Sequence, residues 1–113
     1  NSRAIDVIKR MIDDDDDVFR EMANEHEFFR DIRADLVFHC GSAYFIDEPF
    51  AELSEDNVLE CSFNLKNYTS AIEKFLNWLE PYVETVGDIG EYYYEYSSPR
   101  TVWHTDDGKI WYE

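Results

Sequence analysis

The side chains that could hold a metal or act as nucleophiles are three histidines and two cysteines, and their spacing favours neither chemistry. His26, His39 and His104 lie far apart, and none stands at metal-ligand spacing from a cysteine or an aspartate. His39 and Cys40 are adjacent, so in a strand their side chains would point to opposite faces. A small hydrolase that uses Cys40 or His104 stays an open hypothesis, although no local signature surrounds either residue. We predict no metal, no cofactor and no catalytic residues.

Carboxylates are the charged groups in excess, since the 113 residues include 26 acidic and 10 basic ones. Residues 13–60 hold sixteen acidic residues and only three arginines. A field of this sign repels nucleic acid and anionic membranes, and it speeds the approach of basic surfaces. The charge therefore predicts a basic protein as partner, with no direct binding of nucleic acid or membrane. A halophile's acidic surface is the alternative, and it is less favoured because such an adaptation should spread evenly.

Three segments are candidates for the partner-binding surface. They are the five aspartates at residues 13–17 (the acidic run), an acidic loop over residues 47–56, and a C-terminal strand face that combines acids with aromatic residues. The acidic run lacks the glycine and the distal glutamate of a calcium-binding loop. Carboxylates can imitate phosphates by pairing with arginine, and aromatic residues supply binding energy at interfaces. The predicted contact residues are Asp13, Asp14, Asp15, Asp16, Asp17, Asp47, Glu48, Glu52, Glu55, Asp56, Glu91, Tyr93, Glu95 and Trp111.

The acidic run separates two predicted N-terminal helices. Apolar residues recur at helical spacing over residues 4–12 and again over residues 18–29. Five adjacent like charges suit the start of a helix better than its interior, so the helix is expected to break there. The apolar stretch over residues 36–46 predicts a hairpin or strand pair, and residues 47–56 predict a loop with room for one helical turn.

The next segments predict a strand and the longest amphipathic helix. Residues 58–65 alternate with period two, so that one side of a half-buried strand faces inward. Asn67 is a suitable N-cap for a helix over residues 68–83, and Pro81 should weaken that helix at about Glu80. The inward set of the strand is Leu59, Cys61, Phe63 and Leu65.

The C-terminal segment predicts a β-meander with strands over residues 91–96, 101–105 and 109–112. Asp107 and Gly108 form a two-residue hairpin signal, which would set His104 opposite Trp111. The expected core face then consists of Trp103, Ile110 and Tyr112, joined by Tyr92, Tyr94 and Tyr96. The expected outer face consists of His104, Lys109 and Trp111, joined by Glu91, Tyr93 and Glu95.

These elements together predict a single α+β domain over residues 1–113. It would contain an antiparallel sheet of about four to six strands, two N-terminal helices and one central amphipathic helix. No apolar run approaches the roughly 18 residues of a membrane span, and the N-terminus lacks the layout of a signal peptide, so a cytoplasmic protein is expected.

The C-terminal half resembles the small acidic immunity proteins of bacterial toxin systems, including partners of nuclease bacteriocins and of contact-dependent toxins. The likeness covers residues 58–113 and rests on the helix around Trp78 with its Pro81-Tyr82 end, the tyrosine-rich strand and the closing Asp-Gly hairpin. The resemblance implies binding to a cognate toxin, at its active site or at an adjacent exosite. A phage-encoded nucleic-acid mimic of the anti-CRISPR or anti-restriction type is the alternative, because it needs the same acidic surface.

Overall fold

The computed structural model describes residues 2–32, 34–39, 49–63, 70–92 and 98–113. Its α-helices are α1 (Ser2–Ile12), α2 (Asp17–Met22) and α3 (Ala71–Leu79), and its 3-10 helices are Glu27–Arg30, Ala34–Leu36 and Glu80–Tyr82. The strands are β1 (Phe50–Leu53), β2 (Leu59–Ser62), β3 (Gly87–Tyr92), β4 (Arg100–His104) and β5 (Ile110–Tyr112).

The α+β class is confirmed, but the predicted single sheet is wrong. The described strands form two antiparallel sheets, one with the order β1-β2 and one with the order β3-β4-β5. The chain divides into two compact units, Asn1–Ile72 and Glu73–Glu113. Each unit is described by itself below, as the N-terminal unit and the C-terminal unit.

Helix α1 ends inside the acidic run through a hydrogen-bonded C-terminal motif. The N–H of Asp15 donates to the carbonyl of Arg10 at 2.9 Å, and the N–H of Asp14 donates to the carbonyl of Met11 at 3.2 Å. Asp14 has φ 60, the left-handed geometry that this Schellman motif requires. Aspartate is one of the few residues that tolerate it. The predicted break is therefore confirmed, and the run ends one helix as well as starting the next.

Helix α2 is shorter than predicted because His26 starts a new element. The side chain of His26 accepts a hydrogen bond from Phe28 N at 3.1 Å, with the His26 backbone extended. This arrangement caps the 3-10 helix Glu27–Arg30, so the periodicity over residues 18–29 is divided between two elements. The apolar spacing was right, but it did not reveal the histidine cap.

The core of the N-terminal unit is aliphatic in α1 and α2 and aromatic in the segments that follow. Phe28 and Phe29 pack edge to face at 5.0 Å between ring centroids, and Phe38 packs edge to face on Phe63 at 5.8 Å. Residues 36–39 end a 3-10 helix and form a turn, so the predicted hairpin is wrong there; residues 40–46 lie outside the described part. The buried residues are Ala4, Val7, Ile8, Met11, Val18, Met22, Phe28, Phe29, Ala34, Val37 and Phe38.

Strand β1 replaces residues 50–53 of the predicted acidic loop and pairs with β2, which lies within the predicted strand over residues 58–65. Four backbone pairs join the strands, from Phe50 opposite Ser62 to Leu53 opposite Leu59. Leu59 and Phe63 are half-buried as expected, but Cys61 is exposed, which corrects its predicted inward direction. Leu65 lies outside the described residues.

Helix α3 confirms the predicted amphipathic helix within its described part and ends where Pro81 predicts. Regular helix stops at Leu79 and a 3-10 turn covers Glu80–Tyr82, because proline cannot donate to the helical ladder. Val83 is already extended, so the helix is shorter than the predicted end at that residue. Phe75 and Trp78 are buried in the C-terminal unit.

The three-stranded sheet of the C-terminal unit differs by one residue from the predicted register. Trp103 pairs with Trp111 and His104 pairs with Ile110, whereas the sequence placed His104 opposite Trp111. The cause is the loop, which spans residues 106–108: Thr105 N donates to the Lys109 carbonyl at 2.8 Å. With three loop residues in place of two, each β4 side chain lies on the opposite face of the sheet from the one predicted, relative to β5.

Candidate protein-binding faces

The acidic run is partly neutralised by arginines of its own unit. Arg10 Nε donates to Asp15 Oδ2 at 2.8 Å, and the same guanidinium contacts Glu21. These hydrogen bonds lower the pKa of Asp15 and of Glu21 below their ordinary values and raise the pKa of Arg10. Arg20 Nη2 lies 3.0 Å from Asp17 Oδ1. Two of the five aspartates therefore have an intramolecular counter-ion.

The other three aspartates of the run have no described arginine or lysine counter-ion. Asp13, Asp14 and Asp16 are exposed, and no described arginine or lysine forms an ion pair with them. His39 Nε2 lies 4.0 Å from Asp14 Oδ1, but this nitrogen donates its proton to the Met11 carbonyl at 2.7 Å. Of the five predicted contact residues in the acidic run, two are thus paired with arginine and three have no described arginine or lysine partner.

A shallow groove of about 290 Å³ begins beside the run. Ile32, which lines it, keeps 81% of its surface accessible. The groove combines acidic and apolar side chains, a mixture that fits the charged head and methylene stem of a basic side chain. Its lining residues are Asp16, Phe19, Asp31, Ile32, Ala34 and Asp35.

The β1-β2 hairpin presents the second acidic segment. Glu52 lies directly opposite Glu60, so two like charges share one face of the hairpin. Like charges in this position destabilise a strand pair. Glu55 and Asp56 are exposed in the turn, while Asp47 and Glu48 lie outside the described residues. The hairpin therefore concentrates negative charge at a cost to its own stability.

The loops of the β1-β2 and β4-β5 hairpins have the same construction. In the first loop, Ser54 N donates to the Val58 carbonyl at 3.0 Å, and Asn57 adopts φ 64. In the second, Thr105 takes the place of Ser54 and Gly108 takes the left-handed position with φ 86. The hydroxyl of Ser54 or Thr105 accepts from the residue that closes its loop at 3.0 Å. Each loop has two adjacent acids at its tip.

The sheet of the C-terminal unit has an inner face that holds its core. Tyr92, Val102 and His104 are buried on this face, and Tyr92 packs edge to face on Tyr112 at 5.5 Å. Burial raises the pKa of Tyr92 and of Tyr112 above their ordinary values. The Arg100 guanidinium lies over the Tyr112 ring, 5.6 Å from its centroid. The predicted burial of Tyr92 is confirmed; Tyr94 and Tyr96 lie outside the described residues.

His104 is a core residue and not part of the outer face that the sequence predicted. Its Nδ1 donates to the Thr85 carbonyl at 2.7 Å, since a carbonyl can only accept. Its Nε2 is shielded from solvent and has no hydrogen-bond partner among the described residues. Only 4% of the residue is accessible, so the ring is closed to a substrate in solution. Cys40, the other residue of the hydrolase hypothesis, lies outside the described part.

The outer face of the same sheet combines tryptophans with carboxylates (the tryptophan face). Strand pairing aligns Asp88, Trp103 and Trp111 in one row across β3, β4 and β5. A second row consists of Glu91, Thr101 and Glu113, in which Thr101 and Glu113 exchange two backbone hydrogen bonds of 3.0 and 3.1 Å. The described tryptophan face carries three carboxylates and two indole rings.

The tryptophan face contains part of the predicted contact set and adds residues that the sequence did not indicate. Glu91 and Trp111 are both on it and exposed, whereas Tyr93 and Glu95 lie outside the described residues. Trp103 was predicted in the core, but it is half-buried on the outer face. Asp88 and Glu113 were missed, and only the loop length and the bulge in β3 would have revealed their direction.

The described part of the chain offers little for metal or thiol chemistry. It contains no group of three histidine, cysteine, aspartate or glutamate side chains that could hold a metal ion. Cys61 has exposed surface, yet desolvation by the surrounding chain raises its pKa to about 11. A pKa in that range leaves the thiolate scarce at neutral pH.

No helix in the described ranges combines the length and the apolar character needed to cross a membrane. No protein-family model matches the chain, and neither a curated protein nor a solved structure is detectably similar to it. The resemblance of residues 58–113 to immunity proteins therefore stays a prediction, and the functional argument depends on the geometry above.

Proposed function

We propose that this protein binds and neutralises a basic, nucleic-acid-handling protein, as the immunity protein of a cognate nuclease toxin. The tryptophan face is the observation that carries the proposal, because it joins exposed carboxylates to an exposed indole. Aromatic anchors supply much of the energy of protein interfaces, and carboxylates pair with arginine. Trp111 and the acids around it offer both kinds of contact on one surface.

The N-terminal unit supports the same function through its unpaired charge. Asp13, Asp14 and Asp16 face solvent without an arginine or lysine partner among the described residues. Glu52 and Glu60 face each other although their repulsion weakens the hairpin. Acids that oppose local stability are typical of surfaces that function selects, since binding can offset the cost. A basic partner would relieve that repulsion.

A nucleic-acid-handling partner accounts for the sign and the pattern of these groups. Such proteins carry arginine and lysine along the track of a phosphate backbone, and carboxylates at similar spacing occupy the same positions. Aromatic rings then take pockets in which bases stack. The net charge of −16 itself disfavours nucleic acid as a direct ligand. Inhibition by occupation of the nucleic-acid site follows from this complementarity.

The test is affinity capture from nuclease-treated lysate of the source, followed by inhibition of the captured protein. We expect one dominant basic protein, retained at moderate salt, whose nuclease or nucleic-acid-binding activity falls to background at one equivalent of inhibitor. A charge-reversed variant with Asp13→Lys, Asp16→Lys, Glu60→Lys and Glu91→Lys should lose the capture.

The matched control places two reversals outside the proposed faces and is compared with two reversals within them. Glu84→Lys and Asp106→Lys change exposed acids outside the proposed faces, and a double reversal at Asp13 and Glu91 gives the equal charge change for comparison. The control should retain the partner. If capture survives reversal of all the faces, or falls equally in the control, the proposed interface is wrong.

A further inference from the structure

The tryptophan face has a geometry that distinguishes between kinds of basic side chain. Trp103 and Trp111 are direct neighbours on β4 and β5, with ring planes 24° apart and centroids separated by 6.5 Å. Trp111 is 45% accessible, whereas Trp103 is half-buried beside it. The pair therefore forms a nearly parallel aromatic surface with one exposed ring and one supporting ring.

Carboxylates occupy the positions next to this aromatic surface. Asp88 lies opposite Trp103 on β3, and its Oδ1 accepts from Gly90 N at 3.0 Å, which fixes the carboxylate at the bulge. Glu91 and Glu113 are exposed in the neighbouring row. The described basic residue of these strands, Arg100, is on the inner face with its guanidinium over Tyr112. Lys109, two residues before Trp111, is exposed at the loop end of this side, and no described ion pair joins it to Asp88, Glu91 or Glu113.

We infer that the tryptophan face binds an arginine side chain of the basic partner, with the guanidinium on Trp111 and a carboxylate beside it. A planar guanidinium stacks on an indole and donates to carboxylates from its edge, whereas a lysine ammonium is a more strongly hydrated point charge. The protein already holds one guanidinium in this way, where Arg100 lies over Tyr112. This inference rests on the proposed function and specifies the partner chemistry at one of its faces.

The experiment uses the full chain and two short probe peptides of equal charge, acetyl-Gly-Arg-Gly-Arg-Gly-amide and its lysine counterpart. Binding is followed by NMR through the indole N–H signals of the three tryptophans. We expect the arginine peptide to shift the Trp111 signal, with a dissociation constant about threefold or more below that of the lysine peptide. Trp78, buried in α3, serves as the internal reference and should stay unchanged.

Two variants separate the aromatic contribution from the charge. Trp111→Leu keeps an apolar side chain on the edge strand but removes the ring, so arginine and lysine peptides should then bind equally. Asp88→Asn should weaken both peptides and leave the preference for arginine. Because Trp111 is on the surface of an edge strand, the variant is expected to fold, and its dispersed amide spectrum checks this. If it unfolds, the comparison of the two peptides on the unaltered protein decides.

Equal affinity for the two peptides, or shifts only at signals away from the tryptophan face, would overturn the arginine inference. Capture of a basic partner could still succeed in that case, so the proposed function would stand without it. Conversely, arginine-selective binding together with no retained basic protein would reject the proposed function alone.

Discussion

Arg10 is the residue on which the electrostatics of the N-terminal unit depend most directly. It contacts Asp15 in the acidic run and Glu21 in α2, and so connects the end of one helix to the next. Because it neutralises two acids at once, it limits repulsion where the charge density is greatest. Its ion pairs connect the turn to α2, while the neighbouring Asp13, Asp14 and Asp16 stay exposed.

We predict that Arg10→Met lowers the free energy of unfolding at neutral pH and that the difference disappears in acid. The folded-state pKa values of Asp15 and Glu21 lie below their unfolded values. The stabilisation is therefore present above about pH 4.5 and is lost as the pH falls through the lowered values. Denaturation of both proteins at several pH values between 3 and 7 measures it.

Arg20→Met is the matched control for that experiment. Arg20 pairs with Asp17 at i,i+3, and both side chains are mostly exposed, so its loss should change stability only slightly. A difference between Arg10→Met and the unaltered protein that stays constant from pH 3 to 7 would contradict the charge argument. It would indicate that the methylene stem of Arg10 contributes by packing.

Among the elements, the loops of the β1-β2 and β4-β5 hairpins set the registers of these two strand pairs. Gly108 has φ 86, and a Cβ built there would meet nothing within 4 Å, so a substitution there is opposed by the backbone alone. We predict that Gly108→Ala destabilises the C-terminal unit by about 1 kcal/mol. Urea denaturation, followed through tryptophan fluorescence, measures the change.

The neighbouring loop position supplies the control for the glycine. Asp106 is exposed and does not have a positive φ, so Asp106→Ala should stay within about 0.5 kcal/mol of the unaltered protein. Asn57→Ala should repeat the loss in the N-terminal hairpin, because Asn57 has φ 64. Equal stability of Gly108→Ala and Asp106→Ala would show that the left-handed position does not limit the hairpin.

The same loops explain how much of the fold the sequence could predict. Periodicity identified α1, the start of α2, the amphipathic α3 and the last two meander strands, because burial imposes those patterns locally. Strand β3 instead begins at Gly87, four residues before the predicted start at Glu91. The faces of Trp103 and His104 on β4 were not predictable, since they depend on whether the loop before β5 has two residues or three. One residue in that count exchanged the positions of Trp103 and His104.

The candidate site was predictable in composition but not in arrangement. The sequence indicated acids and aromatic residues as the contact groups, and Glu91 and Trp111 do share an exposed face. It did not indicate that Arg10 and Arg20 neutralise Asp15 and Asp17, because the contact from Arg10 depends on how the chain turns after α1. Asp88 lies on the tryptophan face because the pairing of β3 with β4 is irregular between Asp88 and Gly90.

The net charge is divided more evenly between the two compact units than the acidic stretch over residues 13–60 suggests. Residues 1–72 have a net charge of −10 and residues 73–113 a net charge of −6, so the two compact units are similarly acidic for their lengths. The regional pattern along residues 13–60 thus favours binding less strongly than the exposed faces do. An even acidic surface is also what a halophilic protein requires, and salt dependence separates the two explanations.

We predict that salt has opposite effects on folding and on binding. The protein should be folded at about 0.02 M NaCl and become modestly more stable at about 0.3 M, because salt screens the repulsion within a chain of net charge −16. Association with the captured basic partner should slow steeply over the same range, because screening weakens the attraction between opposite charges. Thermal unfolding and stopped-flow association measure the two trends in matched buffers. A halophilic protein would instead be unfolded in dilute salt and would fold only near molar salt. Its contacts with basic proteins would be weak and unselective at every salt concentration.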